Sequence, residues 1–319
     1  MKKFFQSLKK VNELGIILVF LLLVAIFSSV NPVFCSYDNL MNILRTSSYV
    51  IIVALMTTLI FITGGLDLSV GSIIGLGGLI SAVCLAYFKL PVAASVLMGL
   101  LVGVVFGLFN GLTVVKGKIP ALIVTLGTMY IGRGLMNVIT KGKPVYPLPE
   151  EFNIIGSGLL YGIPFSVILA VILAIVTYLV LKYTIFGRNI YAIGGNEETS
   201  RLSGINVDIV KITVYVLSAV SAALSGVIMT ARMASAQVST GTGWEMTVIA
   251  SVIIGGTSMF GGSGTIVGTI VGALMMSSLT SGMILMRVSA YWQNVVIGFI
   301  IIIAVAIDQY RRRKSGDIV

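Results

Sequence analysis

Long apolar runs separated by short polar breaks make up most of the chain. They lie near 16–30, 48–64, 68–88, 92–112, 120–140, 163–183, 211–231, 244–260, 264–282 and 291–308. A bilayer-crossing helix needs roughly 20 mostly apolar residues. The pattern therefore predicts an all-α integral membrane protein with about ten transmembrane helices. The first run is followed by Asn31-Pro32 with no small-x-small site, so it reads as a span and not as a cleavable leader. Two polar stretches exceed turn length, 141–162 and 184–210.

Composition agrees with the pattern. Hydrophobic residues make up 57% of the 319 and charged residues 10%, and mean hydropathy is +1.07. Soluble domains carry about 25% charged residues, so a soluble enzyme is excluded. The charges fix an orientation. With ten spans both termini share a side, and a cytoplasmic N-terminus puts 14 Lys/Arg inside, six outside and Arg133 within a span. Basic residues favour the cytoplasmic side, so the chain is expected to be multi-pass in the cell membrane with both termini cytoplasmic. The net charge of +10 is thereby a topology marker and not a sign of nucleic-acid binding. Histidine is absent and cysteine occurs at Cys35 and Cys84 only, so no metal site and no cofactor are expected.

The sequence also repeats itself faintly. Gly65-Leu66-Asp67-Leu68-Ser69-Val70 echoes Gly243-Trp244-Glu245-Met246-Thr247-Val248. One span later come glycine ladders, Gly99, Gly103, Gly107 and Gly111, then Gly264, Gly268 and Gly272. Spacing by four puts each ladder on one helix face, open to another backbone. The third and eighth spans start on opposite sides, so spans 2–5 (48–140) and 7–10 (211–308) read as two inverted-topology repeats within a single transmembrane domain, 1–319.

Asp67 and Glu245 are the carboxylates placed inside these spans. Each precedes a hydroxyl, Ser69 or Thr247, where a helix can start. They read either as N-terminal caps of broken helices or as polar lining of a solute path. Arg133 pairs with one of them or snorkels outward. Asn110, Thr125, Thr128, Asn137 and Asn294 are further polar points in apolar spans. Asp67, Ser69, Asn110, Thr125, Glu245 and Thr247 make up the candidate translocation path. Trp244 and Trp292 read as interface anchors. In the 184–210 loop, Asn196-Glu197-Glu198-Thr199-Ser200-Arg201-Leu202 predicts a short helix capped by Asn196 and closed by Gly204, a docking knob. No G-x-x-x-x-G-K-[ST] motif occurs, so any ATP chemistry belongs to another chain.

These segments resemble a known family. NPVF and NLMNIL after the first span, TGGLDLSVGS at 63–72, NGLTVVKGKIPALIVTLGTM at 110–129, GRNIYAIGGNEETSRLSGINV at 187–207 and IIGGTSMFGGSGTIVGTIVGAL at 253–274 are similar to permease subunits of bacterial ABC importers for monosaccharides, the ribose/xylose/galactose-type branch. The resemblance covers essentially the whole chain. It implies a type II-like permease, not an enzyme, forming the path for a ribose-like sugar. It also implies a second permease copy or paralogue, an external solute-binding protein, and a cytosolic ATP-binding subunit docked on the loop between spans 6 and 7. Gly195, Asn196, Glu197, Glu198, Arg201, Leu202, Ser203 and Gly204 fall in that coupling segment. Many members have alanine where Thr199 and Ser200 stand here. The alternative from the residues alone is a self-contained H⁺- or Na⁺-coupled carrier working through Asp67 and Glu245. A membrane-embedded enzyme is disfavoured by the missing His, Cys pair and clustered acids.

Overall fold

Helix caps and glycine breaks cut the apolar runs into definite elements. The computed structural model describes residues 12–315, with side chains over 15–310. Among the described residues there are thirteen α-helices: α1 (Asn12–Val30), α2 (Tyr37–Ile62), α3 (Val70–Ala86), α4 (Val92–Val115), α5 (Ala121–Thr140), α6 (Glu150–Ser157), α7 (Phe165–Tyr183), α8 (Ile185–Gly195), α9 (Glu197–Leu202), α10 (Val207–Met233), α11 (Trp244–Ile254), α12 (Ile266–Leu285) and α13 (Ala290–Ser315). Each expected span carries one of them. Seven are long and apolar enough to cross a membrane, within α2, α4, α5, α7, α10, α12 and α13. Gly15–Val30, Val70–Ala86 and Trp244–Ile254 are apolar but shorter. The ten expected spans thus divide into seven long helices and three short ones.

Boundaries move where caps act. α2 starts at Tyr37 rather than 48, because Ser36 Oγ accepts from the Asn39 amide and Asp38 stands in the first turn. α10 starts at Val207, where Asn206 Oδ1 accepts from the Ile209 amide. α11 stops at Ile254, since Gly256, Gly261 and Gly262 take left-handed φ of 85°, 95° and 78° and turn the chain away. The all-α expectation needs one small addition, an antiparallel ribbon of Leu159–Leu160 with Ile163–Pro164.

α10 is the hub of the bundle, flanked by α2, α3 and α4. The first glycine ladder makes the α4–α10 seam. A Cβ on Gly103 would come within 2.6 Å of the Ala219 carbonyl oxygen, and one on Gly107 within 2.6 Å of Val216 Cα. Only hydrogen fits there, so the two backbones touch. The second ladder joins α12 to α11: a Cβ on Gly272 would lie 3.0 Å from the Gly255 nitrogen. Gly264 precedes α12 and packs on Thr257 instead. α13 is peripheral, with no buried residue in its apolar window.

Candidate functional site

The site is built where α3 and α11 begin. After Ile62 the chain runs without helix through Thr63–Ser69 before α3. Asp67 shapes that passage. Its Oδ1 accepts from the Ser69 amide at 2.9 Å and from Ser69 Oγ at 2.5 Å. Its Oδ2 accepts from Ser218 Oγ of α10 at 3.3 Å. Ser69 Oγ accepts from Asn110 Nδ2 of α4 at 2.9 Å, and Tyr215 donates to the Leu66 carbonyl at 3.2 Å. Asp67, Ser69, Asn110 and Ser218 have no solvent exposure. A buried carboxylate must be hydrogen-bonded, and here three donors meet it. A carboxylate bonded to the amide two residues on is an Asx turn, so Asp67 shapes the backbone leading into α3, whose N-cap Ser69 makes no side-chain cap bond.

The other break runs from Met233 to Trp244. Ala234, Gly241 and Gly243 take left-handed φ of 49°, 76° and 79°. The turn carries Gly241 against the backbone of Gly71 and packs Glu245 onto the same glycine, in the first turn of α3. The two short helices therefore begin back to back. Arg133 of α5 donates to the Thr240 carbonyl at 2.7 Å and stands 4.0 Å from Glu245. Its partner is Glu245, not Asp67. Trp244 rests against Tyr49 of α2 with ring centroids 6.5 Å apart. Trp244 is half-buried there, at the start of α11. Trp292 remains exposed in the first turn of α13.

The remaining polar points separate. Thr125 donates to the Ala121 carbonyl, Thr128 to Val124 and Thr125, and Asn137 to Arg133. Each bonds its own helix, and Thr125 is fully buried. Thr247 and Asn294 line a cleft of about 390 Å³ among α2, α11, α12 and α13. Among the described residues neither Thr125 nor Thr247 hydrogen-bonds to the Asp67–Ser69–Asn110 cluster. Sequence reasoning missed Asp308, at the edge of the last span, whose Oδ2 accepts from Ser258 Oγ at 3.1 Å. It also missed Ser218 and Tyr215, which carry no local signal in an apolar run.

The 184–210 loop folds into α8 and α9. Asn196 Oδ1 accepts from the Thr199 amide at 2.8 Å, and Gly204 closes α9 with φ of 85°, as the sequence predicted. Ion pairs hold α9 in place. Glu197 meets Lys211 at 2.7 Å and Arg201 at 3.5 Å, while Asp208 meets Arg201 at 2.8 Å and Lys116 at 2.6 Å. Partial burial alone would raise the Glu197 carboxyl; the Lys211 and Arg201 charges outweigh it and hold it below its ordinary value. Tyr191 of α8 donates to the Gly264 carbonyl at 2.8 Å. Gly194 packs on Ile62 and Gly262, so this segment abuts the ends of α2 and of the α11–α12 turn. Leu202 is 84% exposed.

Known proteins are similar to this chain along most of its length. The family model described as branched-chain amino acid transport system / permease component matches residues 39–305. The chain is 40% identical to the ribose import permease protein of Haemophilus influenzae, over 92% of both chains. It is 41% identical to that of Bacillus subtilis, over 96% of this chain and 94% of the relative. The D-allose transport system permease protein of Escherichia coli is 36% identical over 93% of this chain and 92% of its own length. No solved structure matches the chain. A family match across most of the length, together with relatives this similar end to end, means that the chain belongs to this permease family of multi-pass membrane transport components.

Proposed function

We propose that the chain is the permease subunit of an ABC importer and forms the membrane path for a ribose-like monosaccharide. A partner ATPase drives it and an external solute-binding protein feeds it. The relatives that match nearly end to end are named ribose import permeases, which supports the sugar class. The observation that carries the mechanism is α9. It is capped, braced by ion pairs to Asp208 and Lys211 of α10, the first of which also pairs with Lys116 after α4, and it presents Leu202 with nothing over it. A rigid knob with an exposed apolar tip is suited to seat in a groove on another protein. Movement of the ATPase would then shift α9, and with it α10 and α4.

The reading extends to topology. Ten crossings with both termini cytoplasmic account for the 14:6 charge split. Two inverted repeats account for two short helices that each start at a Gly–acid–hydroxyl segment and meet first turn to first turn. A second permease copy would complete the path against the exposed apolar faces of this chain. In this reading Asp67, Ser69, Asn110 and Thr125 frame the path from within the bundle, while Glu245 and Thr247 stand nearer to it. Nothing in the Asp67 cluster supports the ion-coupled carrier, since both carboxylate oxygens are occupied by fixed donors.

The test is Leu202→Asp in the reconstituted transporter. Leu202 makes no packing contact within the chain's core clusters, so the permease should fold and insert normally. Sugar-stimulated ATP hydrolysis and uptake should fall together, by at least tenfold, equivalent to about 1.4 kcal/mol of docking energy. Undiminished coupling would remove α9 from the docking surface.

A further inference from the structure

Hydroxyl groups buried in membrane helices are normally satisfied by a carbonyl one turn back, as Thr57, Thr58, Thr177, Ser251 and Thr269 are here. The cleft among α2, α11, α12 and α13 breaks that habit. Ser277 lines it, is 4% exposed, and its Oγ has no hydrogen-bond partner. Thr46 and Thr247, half-buried, and Thr242 and Asn294, exposed, line it as well with no side-chain hydrogen bond to protein among the described residues, while Thr280 on the same wall bonds the Met276 carbonyl. An orphaned buried hydroxyl costs about 1–3 kcal/mol. Asn294 sits among Ile297, Gly298 and Ile301 on a helix otherwise made for lipid. Five polar side chains, from four helices and the 234–243 turn, converge on one space without bonding one another.

The remaining wall is apolar and includes Trp244. One aromatic side chain with several unbonded hydroxyls and an amide is the chemistry that recognises a sugar. The ring's face takes the C–H side, and the hydroxyls and amide take the polar edge. The volume, about 390 Å³, falls within the roughly 300–1,000 Å³ of small-molecule pockets. A smaller cavity of about 140 Å³ shares Thr46 and Trp244 with it and reaches Arg232, at the end of α10. The two form a line leading from that helix end to the cleft.

We infer that this cleft is a low-affinity carbohydrate subsite in the permease itself, with Ser277, Asn294 and Thr247 as hydrogen-bonding groups and Trp244 as the apolar platform. The inference rests on the reading of the chain as a sugar permease and adds that the permease, besides its delivery protein, contacts the solute chemically.

The test uses the complete transporter in proteoliposomes, carrying Gly298→Cys, a cleft-lining position with open space for a side chain, in a Cys35→Ser, Cys84→Ala chain, and a small methanethiosulfonate reagent. D-Ribose at about three times a millimolar Kd should slow modification of the cysteine roughly fourfold, and adding Ser277→Ala should abolish the slowing. Glycine betaine at equal osmolarity should leave the rate unchanged. No slowing by ribose, or equal slowing by betaine, overturns the subsite. So does quenching of Trp244 by brominated lipid chains in a Trp292→Phe variant with labelling indifferent to ribose, which assigns the cleft to lipid. ATP-driven ribose uptake by the parent transporter is measured in the same vesicles. Protection without uptake refutes the importer reading and keeps the subsite; uptake without protection does the reverse.

Discussion

Replacing Asp67 distinguishes an architectural carboxylate from a transporting one. Asp67→Ala removes the acceptor of the Ser69 amide, the Ser69 hydroxyl and the Ser218 hydroxyl. Ser218 can turn to a carbonyl one turn back, as Ser251 does at 2.7 Å. The Ser69 amide cannot turn, and Ser69 Oγ is held by Asn110. Two orphaned buried donors at about 1–3 kcal/mol each put the loss at roughly 2–6 kcal/mol. Asp67→Asn keeps a carbonyl oxygen for the Ser69 donors and offers its NH₂ to the Ser218 oxygen. Its cost should be about 1 kcal/mol, the size of one ordinary hydrogen bond. The assay is the denaturation midpoint of the purified permease in mild detergent, with uptake measured in vesicles. The expected order is wild type, then Asn close behind, then Ala far below, with uptake following stability. An Asn variant as unstable as Ala would refute the turn geometry. A stable Asn variant that transports nothing would show that the charge itself serves transport.

Four further outcomes follow from the same contacts. Gly107→Leu should destabilise the permease by more than the usual 1–3 kcal/mol of overpacking, because its Cβ would press on Val216 and Tyr215 backbone; Gly127→Leu, with nothing within 4 Å, should stay within about 0.5 kcal/mol in the same thermal assay. Glu197→Arg with Arg201→Glu keeps the pair within α9 but sets a guanidinium against Lys211 and a carboxylate against Asp208, so amide exchange in 196–204 should quicken and sugar-stimulated ATP hydrolysis should drop. The Glu197 carboxyl is held below its ordinary value, so its bracing is fully present above the ordinary glutamate pKa of about 4.3 and fades as pH falls below that through the lowered value; exchange protection of α9 that weakened on raising the pH from 5 to 7 would contradict this. Arg133→Gln and Glu245→Gln should be non-additive by roughly 0.5–3 kcal/mol in a double-mutant cycle, and strict additivity would mean that the 4.0 Å approach carries no coupling.

Local signals were legible in the sequence; those that need a partner from another element were not. α9 could be read because cap, first-turn acids and closing glycine lie within nine residues, Asn196 to Gly204. The ladders could be read because a glycine every fourth residue has few other uses in a helix. Asp67 and Glu245 were visible as helix starts, but the choice of Glu245 by Arg133 depends on how the 234–243 turn folds back onto Gly71. That turn also sets Trp244 against Tyr49, a contact between distant segments that the local sequence does not show. The cleft was invisible because its polar groups come from four helices and a turn that are far apart in sequence. The start of α2 was lost because Thr46, Ser47 and Ser48 interrupt the apolar count within one continuous helix.

Asp208 takes two cations at once, Arg201 from α9 and Lys116 from the end of α4. In mechanical terms it is a rivet through three parts. α4 and α10 are already joined along the ladder, where the glycines of α4 lie against the backbone of α10. A push on α9 therefore cannot bend one rod past the other. If α9 seats the ATPase as proposed, its displacement reaches both as a single stiff beam.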